Sequence, residues 1–188
     1  MRLPVAFFCL FFLVLLGGCQ GAPTQFALIG DSPYVQENLP KYERMIERIN
    51  ETQDIDWVVH LGDMKSGISN CRDEDLLRLY ELNQQFVAPL VLTPGDNDWF
   101  DCKREIAGGW NRLDRLGKLR EIFYTEQPAL PLVSQGGSGI FGDFVENVYW
   151  QNAGVVFAAV HLTGISGEEG GIELHNDIQN AAIEWLDR

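Results

Sequence analysis

Trp57-Val58-Val59-His60-Leu61-Gly62-Asp63 is an apolar, β-branched run that ends at a glycine and a carboxylate. β-Branched side chains favour a buried strand, and glycine permits a tight turn that a side chain would obstruct. The same pattern of an apolar run, a glycine and an aspartate precedes it at residues 26–31 and follows it at residues 90–96. The aspartates that close the three runs are 32 and 33 residues apart: Asp31, Asp63 and Asp96. This period is typical of a strand, a crossover helix and a parallel strand.

The three aspartates are expected to meet at one edge of the predicted sheet. Open α/β sheets bind ligands beyond the carboxyl ends of their strands, and neighbouring strands lie about 4.8 Å apart. Carboxylates at such a short distance repel one another unless they are protonated or bridged by cations. We therefore predict a metal site formed by Asp31, Asp63 and Asp96. The last turn, residues 95–98, has three consecutive side-chain oxygen donors, which favours a site over an ordinary Asp/Asn turn.

The first 18 residues are typical of an export signal, with Arg2, an apolar run over residues 3–16 and then small residues. The apolar run is too short to span a bilayer comfortably. Leu16-Gly17-Gly18-Cys19 resembles a bacterial lipobox, which implies cleavage before Cys19, acylation of its thiol and a membrane anchor in the periplasm or outer membrane. An ordinary signal peptide with an incidental cysteine is the alternative. Residues 19–24 are expected to form a linker, and residues 25–188 a single domain.

Acidic residues dominate the chain beyond the predicted signal, with 27 acidic and 13 basic side chains. This balance argues against nucleic-acid binding through a basic surface. Cys71 and Cys102 are the only cysteines beyond Cys19, and in an exported protein they are expected to form a disulfide. The bond would tie together the segments that follow Asp63 and Asp96. Two unpaired thiols are the alternative.

Helical periodicity predicts helices over about residues 38–52, 73–86 and 111–123, and a last helix from about Asn176. Residues 144–152 and 155–162 are predicted to form an antiparallel hairpin. The basic side chains of the third helix are interpreted as a solvated face. His60 lies inside the second strand and is expected to be a core or supporting residue rather than a ligand. No stop signal follows the last helix, so we expect the sequence to be a fragment.

Together, Gly30-Asp31, Gly62-Asp63 and Gly95-Asp96-Asn97-Asp98 resemble the motifs of calcineurin-like metallophosphoesterases over about residues 25–188. The resemblance implies an αββα sandwich and a phosphate mono- or diester as substrate. It also implies two metal ions among iron, zinc and manganese, which activate a water. Asp31 would bind the first metal, Asp63 would bridge both, Asp96 would bind the second, and Asn97 would orient the phosphate. Paired ions of this kind lower the pKa of water, and oxygen ligands suit Mn²⁺.

Several residues depart from the family pattern. Pro33 stands where the first motif usually has a histidine ligand, and Tyr34 is only loosely similar to a metal-binding tyrosine of purple acid phosphatases. Asp96 replaces an asparagine, and Asn97 replaces a histidine, so position 97 offers a hydrogen bond but no proton. The two later histidine motifs are not found. His161 comes too early for them, and His175 is interpreted as the start of the last helix.

These departures leave two alternatives open. The first is a binding or scaffold lipoprotein that kept the fold and lost the chemistry. The second is a phosphotransferase with an aspartate nucleophile, which Asp31-Ser32-Pro33 fits poorly because the second acid two residues on is missing.

Overall fold

The computed structural model describes residues 23–126, 128–136, 144–164 and 171–187. The predicted signal and Cys19 lie outside these residues. The strands are β1 (Phe26–Ile29), β2 (Trp57–His60), β3 (Leu90–Leu92), β4 (Val133–Ser134), β5 (Val148–Asn152) and β6 (Val155–Ala159). The α-helices are α1 (Leu39–Glu51), α2 (Asp73–Asn83), α3 (Arg112–Phe123) and α4 (Gly171–Leu186).

The first sheet is parallel, in the order β1-β2-β3. Ile29 pairs with His60, and His60 pairs with Leu92, so the three strands stop level with one another. α1 and α2 make the two crossovers, as the 32- and 33-residue spacing predicts. The three Gly-Asp turns therefore leave the sheet at the same edge.

The second sheet is antiparallel, in the order β4-β5-β6. The predicted hairpin is confirmed, although its strands are shorter than the sequence pattern suggests. Alternate side chains of the two sheets face each other in a buried cluster: Trp57, Val59, Val91, Val148, Trp150 and Ala159. The two sheets therefore pack as the inner layers of a sandwich.

Helices cover both outer faces of the sandwich. Tyr42 and Ile46 of α1 pack with Val58 of β2, together with Leu82 of α2 and Phe86, which follows that helix. On the opposite side, Trp185 of α4 contacts Tyr149 of β5, with ring centroids 5.5 Å apart. The layers thus follow the order helix, sheet, sheet, helix, which confirms the predicted αββα class.

Two helix predictions need correction. α4 begins at Gly171 rather than near Asn176, because Leu174 packs with Ile178 against Trp99 and Phe100 and so extends the helix. His175 consequently lies inside the helix and does not begin it. The basic face of α3 is not uniformly solvated either. Arg115 is buried and donates to the Cys71 carbonyl and to Asp73.

Cys71 and Cys102 form a disulfide, as predicted, with their Cα atoms 5.6 Å apart. The bond joins Cys71, two residues before α2 begins, to Cys102 in the short helical segment Phe100–Lys103. It therefore ties together the segments that follow the second and third Gly-Asp turns. In the described part of the chain, no helix is both long enough and apolar enough to cross a membrane.

Candidate functional site

The first two turns at the sheet edge share a backbone conformation. Asp31 and Asp63 are in the left-handed region, with φ of 49° and 51°. This region is uncommon for residues with a side chain, and aspartate is among those that tolerate it. The Asp31 N–H donates to the Gly62 carbonyl over 3.0 Å, so the two turns are directly bonded.

The second and third turns meet at two glycines. A Cβ on Gly62 would lie 2.0 Å from the Gly95 nitrogen, and a Cβ on Gly95 would lie 2.0 Å from Asp63 Oδ1. The backbones approach too closely for any side chain, which explains the glycines before Asp63 and Asp96. The Asn97 N–H donates to Asp63 Oδ1 over 3.1 Å and fixes that carboxylate against the third turn.

Asp98 fastens these two turns from inside. Its carboxylate is fully buried and accepts three backbone N–H groups: Asp63 at 2.9 Å, Met64 at 2.8 Å and Gly95 at 3.0 Å. Burial, partly opposed by the Gly95 N–H, raises the pKa of Asp98 to about 7. Asp98 is thus a positioning residue, whereas Asp96, two residues earlier, remains half-buried at the edge.

His60 joins the first two turns. The Gly62 N–H donates to His60 Nδ1 over 3.1 Å, so the ring proton lies on Nε2, which donates to the Ser32 carbonyl over 2.8 Å. Burial lowers the pKa of this histidine, against the Ser32 hydrogen bond and the Asp31 charge, which raise it. Both ring nitrogens are used and the side chain is fully buried, as predicted for a supporting residue.

The carboxylates of the site act on one another through space. Burial, together with the charges of Asp96, Asp31 and Asp101, raises the pKa of Asp63 to about 6, and the Asn97 hydrogen bond opposes this shift. The three predicted ligands are therefore electrostatic neighbours at one edge. A cation there would relieve their repulsion.

The loop after Asp63 contributes a buried cation and a close contact. Lys65 is 5% exposed, and its ammonium donates to the carbonyls of Ser66 and Ser69. Burial lowers its pKa, while the charges of Asp98, Asp101 and Asp63 raise it. The ammonium therefore compensates part of the acidic charge from within the protein.

Gly67, two residues on, packs against the segment that follows the third turn. A Cβ at this position would lie 2.3 Å from Asp101 Oδ2 and 2.6 Å from Asn97 Oδ1. Asp101 itself is paired with Arg104 at 2.9 Å. The loop after Asp63 is thus held against the Asn97 side chain.

The carboxylate oxygens are suitable ligands for a cation, but the carboxylates are not arranged as a complete coordination site. Within the described ranges, no three His, Cys, Asp or Glu side chains are arranged to hold a metal ion. The oxygen donors Asp31, Asp63 and Asp96 share an edge and repel one another, which is the electrostatic environment that a hard cation favours. Their assignment as metal ligands, like the assignment of Asn97, stays a prediction.

The structure also gives roles that the sequence did not indicate to Asp98, which clamps two turns, and to Lys65 and Asp101, which are charged neighbours of the site. Their roles depend on interactions between residues 33 to 38 positions apart in the chain, so no local pattern marks them. Pro33 is buried directly after the first turn, and His161 is fully buried in a separate hydrogen-bond network. Neither residue supplies the missing histidine ligand of the first motif.

The family model described as calcineurin-like phosphoesterase matches residues 24–183. Neither the search of curated proteins nor the search of solved structures gave a significant match. The matched range contains all three Gly-Asp turns and both sheets.

Proposed function

Because the chain belongs to the calcineurin-like phosphoesterase family, whose members hydrolyse phosphoesters with metal ions, we propose that it hydrolyses a phosphate mono- or diester at the edge formed by its three Gly-Asp turns. One observation carries the proposal. Asp63, held by the Asn97 N–H, lies among the charges of Asp96, Asp31 and Asp101, and burial together with these charges raises its pKa. Such a group of acids is costly without a cation and suited to binding one.

Asp31, Asp63 and Asp96 would hold two metal ions, with Asp63 between them, and manganese, iron or zinc are the candidates. When bound, such ions supply an activated water and stabilise charge on the phosphoryl oxygens. The chain's own contribution is to fix the ligands. Asp98 and the bond from Asp31 to Gly62 hold the three turns in one arrangement, so little reorganisation is needed on binding.

Asn97 would orient the phosphate. Its backbone N–H is committed to Asp63, and the side chain is 8% exposed with its oxygen near Gly67. An amide donates a hydrogen bond but does not transfer a proton at neutral pH. We therefore expect position 97 to bind the substrate without acting as a general acid, and the activity to favour esters with a good leaving group.

The second candidate is a binding or scaffold protein with the same fold. Pro33 in place of a histidine, Asn97, and the lack of a three-residue metal cluster among the described residues favour it. Metal content separates the two candidates: two ions per chain after dialysis against Mn²⁺ support the enzyme, and none supports the scaffold.

The test is hydrolysis of p-nitrophenyl phosphate and bis-p-nitrophenyl phosphate with Mn²⁺, comparing wild type with Asp63→Asn. Loss of the central ligand is expected to lower kcat/KM at least about 100-fold, in line with the removal of one strong electrostatic group from an active site. Asp114→Asn, an exposed acid on α3, is the matched control and should retain full activity. Equal activity in wild type and Asp63→Asn would overturn the assignment.

We further propose that the protein is exported and anchored through a lipid on Cys19. The Cys71–Cys102 disulfide supports the first part, because such bonds persist in oxidising compartments. Cys19→Ser should move the protein from the membrane fraction to the soluble fraction of the cell envelope. An unchanged distribution would contradict the anchor.

A further inference from the structure

A fourth segment, residues 160–164, borders the third turn. It follows β6 and reaches the carboxyl end of β3, where Asp96 lies. A Cβ built on Gly164 would be 3.5 Å from Asp96 Oδ2, which is ordinary van der Waals distance. The Gly164 backbone is therefore a direct neighbour of a predicted metal ligand, and nothing in the family-like motifs of the sequence points to it.

The segment is held in place at its start. Thr93 Oγ1 donates to the Val160 carbonyl over 3.1 Å, and the His161 N–H donates to Asn147 Oδ1 over 2.7 Å. The His161 ring is bonded on both sides, to Glu146 at 2.7 Å and to the Trp99 N–H at 3.1 Å. Trp99 follows the third turn directly, so the segment and the turn are fixed to one another.

Thr163 is the exception within this well-bonded segment. It is 7% exposed, and its hydroxyl has no hydrogen-bond partner. A buried hydroxyl without a partner costs free energy, because it gave up its bonds to water. Valine has nearly the same shape without this cost. The hydroxyl is therefore a buried, unpaired polar group one residue before Gly164, whose backbone is the neighbour of Asp96.

We propose that Thr163 is a substrate-binding residue whose hydroxyl donates a hydrogen bond to a phosphoryl oxygen bound beside Asp96. This rests on the proposed phosphoesterase function and adds a residue to it. Gly164 has a related part, since the lack of a side chain leaves the approach to Asp96 open. A phosphoryl oxygen is a strong acceptor, and a hydroxyl held by a fixed backbone meets it with little loss of freedom.

The test compares the binding of inorganic phosphate, in the presence of Mn²⁺, to the full chain and its variants by calorimetry. Thr163→Val should bind phosphate about tenfold more weakly, the usual effect of losing one hydrogen bond to a charged group. Thr163→Ser should retain most of the affinity. Thr52→Val, whose exposed hydroxyl donates to the Arg48 carbonyl, is the matched control and should bind phosphate as wild type does.

Thermal unfolding without ligands separates a binding role from a structural one. Thr163→Val should melt at the same temperature as wild type or about 2 °C higher, since it removes an unpaired buried hydroxyl. Thr93→Val should melt lower, because it leaves the Val160 carbonyl without its partner. A lower melting temperature for Thr163→Val with unchanged phosphate affinity would overturn the proposal.

Gly164→Ala gives an independent test. The added methyl fits at van der Waals distance from Asp96, so the variant should fold, but it should weaken phosphate binding several-fold. If wild type binds phosphate and hydrolyses esters while Thr163→Val and Gly164→Ala match it, only this inference fails. If wild type neither binds Mn²⁺ nor hydrolyses any ester, the proposed function fails, and the inference fails with it.

Discussion

Glu146 and Asp63 are both acids whose pKa burial affects, but their surroundings are opposite in charge. The Glu146 carboxylate is fully buried and accepts two hydrogen bonds from Arg120, at 2.7 and 2.9 Å, and one from His161 at 2.7 Å. Burial alone would raise its pKa, but the bonds from His161 and Arg120 lower it below the usual value. Both carboxylate oxygens of Glu146 therefore accept hydrogen bonds from side chains of the protein.

Asp63 has one donor, the Asn97 N–H, and three acidic neighbours, Asp96, Asp31 and Asp101. Burial and these neighbours raise its pKa instead of lowering it. The ionised carboxylate is thus stabilised at Glu146 and destabilised at Asp63. The fully paired acid serves the fold, whereas an acid left among other acids is what a binding site for a cation requires.

The largest expected effect tests the paired region. Glu146→Gln should lower the free energy of unfolding by about 3 kcal/mol, because Arg120 would lose its charged partner in a buried setting. Urea denaturation measures this change. Glu121→Gln is the matched control. Glu121 pairs with Lys118 on the surface of α3, the helix that carries Arg120, so this substitution should change the free energy of unfolding by about 0.5 kcal/mol or less. Equal effects of the two variants would remove the distinction between paired and surface acids.

The same variant gives a pH dependence. Because the folded-state pKa of Glu146 lies below its ordinary value of 4.5, its stabilising contribution is fully present above that pH. It is lost as the pH falls through the lowered folded-state pKa. The difference in unfolding free energy between wild type and Glu146→Gln should therefore be constant from pH 8 to 6 and shrink in acid. A difference that grows below pH 4.5 would contradict the direction of the shift.

The comparison also explains what the sequence could predict. The parallel strands and their helices follow from patterns within about 35 residues, namely β-branched runs, Gly-Asp turns and helical periodicity. The disulfide followed from counting cysteines. By contrast, Arg120 on α3 looked like part of a solvated face, and its partner Glu146 is 26 residues away on another element. A salt bridge between distant elements leaves no periodic signal.

Some residues of the candidate site could be predicted from the sequence, and others could not. Asp31, Asp63 and Asp96 are visible because the same turn recurs three times, and the structure places these turns at one edge. Asp98 was visible as one of three consecutive oxygen donors, but its role as a clamp depends on backbone N–H groups of another turn. Thr163 and Gly164 were hidden because β6 returns to the site only through the packing of the second sheet.

Metal affinity should depend on the protonation of Asp63. Asp63 must lose its proton to bind a cation, and its pKa in the free protein is about 6. The affinity for Mn²⁺ should therefore rise about tenfold between pH 5 and pH 7 and level off above that. Calorimetric titration at three pH values measures it, and Asp63→Asn should lose most of the pH dependence together with most of the affinity. A flat profile for wild type would mean that Asp63 is not a ligand.

The smallest expected effect is on the stability of the metal-free protein, and its sign is opposite to that of Glu146→Gln. Asp63→Asn removes one charge from a group of acids and keeps an oxygen that can accept the Asn97 N–H. Without metal at pH 8 it should raise the free energy of unfolding by about 1 kcal/mol, a figure reduced from the full pKa shift because Asp63 is only half-buried. The gain should shrink as the pH falls below about 6 and vanish below about pH 3, where the carboxyl is protonated in both the folded and the unfolded state.

Added Mn²⁺ should then reverse the order of the two proteins. The ion stabilises only the protein that binds it, by an amount that grows with its concentration, so wild type gains stability and Asp63→Asn does not. Asp114→Asn on the surface of α3 should respond to Mn²⁺ as wild type does. If Asp63→Asn is less stable than wild type even without metal, Asp63 is a structural acid like Glu146, and the contrast between the two regions no longer identifies the site.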